Sequence, residues 1–137
     1  MSVDAGAGRS HARQSLGRQG EEIAAGYLAG HGYSVLARNW RTRTGEIDVI
    51  ARSGEWLVFV EVRTRRASRG ATTPLLGAPE ESVTPRKQLQ LIAMAEAYLF
   101  ELPWDGPWRI DVIALEVRGD GSVARLNHLQ DAVGGVA

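Results

Sequence analysis

Between residues 14 and 30, Leu16, Gly20, Ile23, Ala24, Tyr27 and Leu28 recur at spacings of three and four, which predicts a helix with one inward face. Gly30 and Gly32 stop it. The period then changes to two: Tyr33, Val35 and Ala37 alternate with Ser34, Leu36 and Arg38, the pattern of a short strand over 33–38. Residues 45–52 and 55–65 are β-rich runs separated by Ser53-Gly54, so they form an antiparallel hairpin. Leu57 to Val62 is apolar on both faces, which marks a central strand.

From 66 to 83 the chain carries Gly70, Pro74, Gly77 and Pro79 with no period, and a loop of that length in a compact domain points to function. Thr84 and Pro85 are an N-cap and a first helical residue. The helix they start runs to about 102, with Leu91, Ile92, Ala95, Tyr98, Leu99 and Leu102 turned inward, and Pro103 ends it. Strands follow over 108–117 and 122–129, joined by the turn Arg118-Gly119-Asp120-Gly121. The order α-β-β-β-α-β-β describes an α/β domain over 14–131, a mixed four- or five-stranded sheet flanked by two main helices. Flexible tails are expected at 1–13 and 132–137.

With 137 residues the chain is one domain long. It has no cysteine, which excludes disulfide scaffolds, thiolate metal sites and thiol nucleophiles and agrees with a reducing cytoplasm. His11, His31 and His128 lie too far apart in sequence to pair as ligands on one helix turn. No apolar stretch reaches the length of an export signal or the roughly 20 residues of a membrane span, so neither is expected. The 16 basic and 16 acidic residues cancel, but unevenly. Arg38, Arg41, Arg43, Arg52, Arg63, Arg65, Arg66 and Arg69 outnumber Glu46, Asp48, Glu55 and Glu61 in the same stretch. Every basic residue except Lys87 is an arginine, whose planar fork suits phosphate. Arg38, Arg41, Arg43, Arg65, Arg66 and Arg69 are therefore the candidate nucleic-acid contacts, with Trp40 available either to stack on a base or to pack the core.

Strand periodicity also sorts the acids. Glu46, Asp48 and Ile50 share a face of the second strand, and Phe59, Glu61, Arg63 and Arg65 share a face of the third. Carboxylates at Asp48 and Glu61 on strands this apolar are costly to bury without a cation or a hydrogen-bond partner. Two carboxylates on adjacent strands with a cation two residues later fit a metal-assisted phosphodiester hydrolase. Oxygen-only ligation suits Mg²⁺, with Mn²⁺ as an alternative. The same spacing also fits a surface ion pair between Asp48 and Arg63. Glu21 lies at the edge of the first helix's inward stripe, whereas Glu22 faces outward. Glu46 is either a further ligand or an exposed strand residue. Lys87 sits on the inward side of its helix, in a first turn where a positive charge opposes the helix dipole. Asp111 reads as structural, holding a loop amide or an arginine.

The neighbours of these residues carry a more specific signal. Gly17-Arg18-Gln19-Gly20-Glu21-Glu22-Ile23-Ala24, Gly45-Glu46-Ile47-Asp48-Val49-Ile50, Val58-Phe59-Val60-Glu61-Val62-Arg63, Ala78-Pro79-Glu80-Glu81-Ser82-Val83 with Lys87, and Arg109-Ile110-Asp111-Val112 occur in that order. Together they resemble the YraN-like family of small bacterial proteins over about 17–132. That family is similar to Holliday-junction resolvases and to the restriction-endonuclease-like fold. The resemblance implies that Glu21 is a helix-borne acid of the site, that Asp48 and Glu61 hold the metal, and that Arg63 stands where the nuclease motif usually has lysine. A guanidinium clamps charge but does not give up a proton, so water activation would fall to the metal, Glu61 or Lys87.

The expected function is a magnesium-dependent endonuclease of branched or otherwise structured DNA, with Glu21, Asp48, Glu61, Arg63 and Lys87 as its site. The alternatives are an inert nucleic-acid-binding module and a protein-interaction domain on the same fold. Symmetric cutting of two strands requires two sites and hence a homodimer.

Overall fold

The computed structural model describes residues 5–67 and 79–133. Its elements are α1 (Ala5–Gly30), β1 (Ser34–Thr42), β2 (Gly45–Ser53), β3 (Trp56–Arg66), a 3₁₀ turn (Pro79–Ser82), α2 (Pro85–Glu101), β4 (Trp108–Val117) and β5 (Val123–Leu129). One sheet of five strands follows chain order, and only β3 and β4 run parallel. Parallel neighbours need a crossover, and α2 supplies it. The expected α/β class, element order and mixed sheet with two helices are therefore present.

The helices cover opposite faces of the sheet. Ala24 and Leu28 of α1 pack on Val49, Val58, Val60, Ile113 and Leu115, while Leu91, Met94, Ala95 and Tyr98 of α2 pack on Ile50, Leu57, Phe59 and Ile110. β3 is apolar on both faces because both layers press on it. The β2–β3 hairpin closes through Gly54 at φ +59, a left-handed conformation that glycine adopts without strain.

Three expectations shift at their edges. α1 begins at Ala5, ahead of the expected start at 14, because an apolar period cannot locate the start of a helix whose first turns have none in sequence. β1 extends beyond 38 to Thr42, where Trp40↔Ile47 and Thr42↔Gly45 pairing with β2 overrides a sequence that lacks alternation. Thr84 caps α2, accepting from the Lys87 amide at 3.2 Å, but Leu102 is not on the buried stripe: it lies past the last turn and is 55% exposed.

Most of the expected long loop lies outside the described residues, as do 1–4 and 134–137. The 3₁₀ turn that ends the loop is clamped to β5, with Arg125 donating to Glu80 at 2.9 and 2.6 Å and Asn127 donating at 2.8 Å. Ala132 and Val133 do not behave as a tail. The Ala132 amide donates to Ile110 O, and Val133 is buried against the α2-side core. Asp111 has the structural role expected of it. Fully buried, it accepts from Arg109 Nε, the Asp131 amide and His128 Nε2, and His128 Nδ1 in turn shares a 3.0 Å hydrogen bond with the Tyr27 hydroxyl. Burial works to raise its pKa, yet His128, Arg109 and the Asp131 amide hold it below the usual carboxylate range. Among the described residues, no helix is long and apolar enough to cross a membrane.

Candidate functional site

The sheet splits between β2 and β3. Their pairing runs from Ser53↔Trp56 to Val49↔Val60 and stops, while β2 continues along β1 to Gly45 and β3 continues along β4 to Arg66. Asp48 and Glu61 are the first residues past the last pair, one on each arm of the fork. Deprived of a strand partner, the Val62 amide donates instead to Asp48 Oδ2 at 2.8 Å.

Regular alternation would place Ile47 and Ile50 on opposite faces, but both pack into the α2-side core. Alternation breaks at Asp48, and a second irregularity lies directly across the ladder. Asn39 falls opposite Asp48, between Arg38↔Val49 and Trp40↔Ile47, and has φ +53, which asparagine tolerates better than most residues. Its side chain donates to Glu21 Oε1 at 2.8 Å. Glu21 reaches this point because α1 lies directly against β3 one residue earlier, where a Cβ on Gly20 would run into Thr64. Glu21, Glu46 and Asp48 each bring a carboxylate oxygen into a group spanning no more than 4.8 Å. The cleft outside them, about 470 Å³, is lined by Gly17, Arg18, Glu21, Asn39, Arg41 and Glu46.

Asp48 is 7% and Glu61 4% exposed. Burial, the neighbouring Glu61 charge, a carboxyl hydrogen bond to Glu61 and the more distant Glu21 push Asp48 up to about 9, with only the Val62 amide pulling the other way. Glu61 has cationic neighbours: Oε2 lies 3.4 Å from both Lys87 Nζ and Arg63 Nε. Lys87 projects from the first turn of α2 toward the fork, and Arg63 also donates to the Ser82 carbonyl at 3.5 Å.

Glu21, Asp48, Glu61, Arg63 and Lys87 thus surround the fork. Of the pair expected to hold the metal, Asp48 belongs to the three-carboxylate group, while Glu61 faces the two cations. Three hard oxygen donors, partly buried, suit Mg²⁺ or Mn²⁺. Sequence reasoning left Glu46 undecided; its position two residues from Asp48 was the available signal. Asn39 was missed, because nothing in its local pattern marks a left-handed strand residue.

The candidate nucleic-acid arginines are dispersed. Arg38 pairs with Glu22 at 2.9 Å, Arg41 with Glu46 at 2.6 Å at the cleft, and Arg65 with Glu116 at 3.5 Å, while Arg66 donates to Arg118 O. Arg43 is exposed, and Arg69 lies outside the described residues. Trp40 packs edge-on against Tyr98 with ring centroids 5.3 Å apart, so it serves the core.

A family model described as "Uncharacterised protein family UPF0102" matches residues 20–115, from the Gly20 contact into β4. The chain belongs to the UPF0102 family. A UPF0102 protein of Chloroflexus aurantiacus is 46% identical over 124 residues, covering 89% of this chain and 95% of its own. One from Geotalea uraniireducens is 44% identical over 120 residues, covering 87% and 89%, and one from Chlorobaculum parvum is 51% identical over 108 residues, covering 77% and 78%. The UPF0102 span includes Glu21, Asn39, Glu46, Asp48, Glu61, Arg63 and Lys87.

Proposed function

We propose that this protein is a divalent-cation-dependent endonuclease, with a restriction-endonuclease-like core similar to that of Holliday-junction resolvases, acting on structured DNA in the cytoplasm. The observation that carries this reading is the fork. It groups Asp48 with the carboxylates of Glu21 and Glu46 and sets Glu61 beside Lys87 and Arg63.

Glu21, Glu46 and Asp48 are the residues that would hold Mg²⁺ or Mn²⁺. When bound, such an ion lowers the pKa of a coordinated water and draws charge from a phosphate. The chain's own residues supply the rest. Lys87 and Arg63 place positive charge beside the carboxylates, where a phosphodiester gains negative charge as water adds to phosphorus and the ester P–O bond breaks. Glu61 orients both cations, and Arg63 acts only as a charge, since guanidinium keeps its proton. Arg18 and Arg41 flank the cleft mouth, where neighbouring phosphates would lie.

Labelled linear, flapped and four-way DNAs incubated with Mg²⁺, Mn²⁺ or EDTA test this reading. Cleavage should require the metal and disappear in Asp48→Asn and Glu21→Gln. No cleavage of any substrate by the wild-type protein would sink the nuclease reading. The second reading, a nucleic-acid-binding module without chemistry, draws on the engagement of both Lys87 and Arg63 by Glu61.

A further inference from the structure

α2 buries one stripe and leaves another uncovered. Opposite Leu91, Met94, Ala95 and Tyr98, residues Arg86, Leu89, Ala93, Glu96 and Phe100 recur at spacings of three and four, and all are exposed. The outer face of a sheet-packed helix is ordinarily polar. Here Phe100 is 89% exposed and Leu89 69%, and Leu102 just beyond the helix extends the apolar surface. Ala93, between the two large side chains, leaves room for another backbone to approach.

The charges on this face have a direction. Arg86 stands at the N-terminal end and Glu96 and Glu101 at the C-terminal end, each opposing the helix dipole, and none has an ion-pair partner among the described residues. A second copy of the same helix running antiparallel covers the apolar side chains and answers the charges of Arg86 and Glu101. With the crossing at Ala93, Arg86 lies level with Phe100 and Glu101 of the second copy, and Leu89 lies level with Ala97 and Glu96 of the second copy. Each basic end then meets an acidic end, and opposite dipole ends adjoin. A parallel copy would set Arg86 against Arg86 and Glu101 against Glu101.

We propose that two copies of this chain associate through the outer faces of α2, antiparallel about a two-fold axis near Ala93. Such an interface is isologous, each half meeting its own equivalent, as closed dimers require. The pairing does not depend on the nuclease reading and can hold without it.

Sedimentation of the full chain over a concentration series reaching the submillimolar range tests the proposal, with circular dichroism and melting temperature as controls for folding. The wild type should approach twice the chain mass. Phe100→Arg should be monomeric with unchanged dichroism, since it alters a side chain already in water and sets a second positive charge against Arg86 of the other copy. Arg86→Glu and Glu101→Arg should each weaken association by about tenfold, and combining them should restore it, because the exchanged charges face each other again. A single-chain mass at every concentration overturns the proposal, as does a Phe100→Arg protein that still dimerises. A double charge exchange no tighter than either single variant overturns the antiparallel arrangement.

Discussion

Gly20 and Thr64 touch so closely that no side chain fits between them: a carbon added at Gly20 would lie 1.8 Å from Thr64 Oγ1 and 2.8 Å from Thr64 Cβ. This contact sets the height of α1 above β3, and Glu21 is the next residue along. Gly20→Ala would gain helix propensity, about 1 kcal/mol, but the overlap forces helix and strand apart at a cost of roughly 1–3 kcal/mol. Denaturant titration should show a net loss of stability. Adding Thr64→Ala, which removes the closest atom, should recover part of it. A Gly20→Ala protein as stable as wild type, with unchanged metal affinity, would mean the contact does not hold Glu21 in place.

The grouping of Glu21, Glu46 and Asp48 makes a distinct claim about metal binding. Calorimetric titration with Mn²⁺ or Mg²⁺ should find affinity reduced by more than about tenfold in Glu46→Gln, since even the loss of an outer partner costs that much at many metal sites. Glu61→Gln should retain most of the binding, because Glu61 faces Lys87 and Arg63. The reverse ranking would place the ion between Asp48 and Glu61.

Lys87 and Arg63 share one carboxylate and should separate in kinetics. Under single-turnover conditions Lys87→Ala should lose roughly 10²-fold in rate, the scale of removing one charge stabiliser. Arg63→Lys should keep cleavage, since charge is all that Arg63 contributes. Lys87→Arg keeps the charge but not the compact ammonium, so it should retain DNA affinity and lose rate. An unchanged rate in Lys87→Ala would make that residue a solvated member of the helix.

The Glu80–Arg125 clamp predicts acid sensitivity. Arg125 above all, with Asn127, holds the Glu80 carboxyl down at about 2 despite the opposing effect of burial. Since this value is below the ordinary one, the clamp contributes fully above about pH 4.5, and its contribution fades as pH falls toward 2. Glu80→Gln should therefore lose about 1–2 kcal/mol at neutral pH and show a flatter decline in acid, followed by circular dichroism. Equal acid curves for the two proteins would remove the clamp from the stability of the fold.

Elements that announce themselves through local rules were legible in the sequence. Thr84-Pro85 marked the start of α2, the apolar run 57–62 marked the central strand, and Ser53-Gly54 marked the hairpin. Asp48 and Glu61 were legible too, because burying carboxylates on apolar strands demands a reason, and Glu21 by its place at the edge of the inward stripe of α1, whereas Glu46 stayed open between a ligand and an exposed strand residue. What stayed hidden was set by partners far along the chain. The break in alternation at Asp48 sits opposite a left-handed Asn39 in another strand, and the extension of β1 depends on pairing with β2. No period shows that Glu61 faces Lys87 and Arg63 while Glu21 joins Glu46 and Asp48. Leu102 fitted an inward stripe by count alone, but the helix ends before that position can turn toward the sheet.

The broken ladder at Val62 makes its amide a built-in reporter. With β2 gone from its side, the Val62 N–H leans on one carboxylate oxygen of Asp48, so its hydrogen-exchange rate and its nuclear magnetic resonance frequency respond when that oxygen moves. Anything that draws the oxygen away, such as a cation, a competing phosphate or the Asp48→Asn exchange, registers at a single backbone position beneath the cleft. Val60, still paired across the hairpin one step before the fork, supplies the undisturbed reference in the same spectrum.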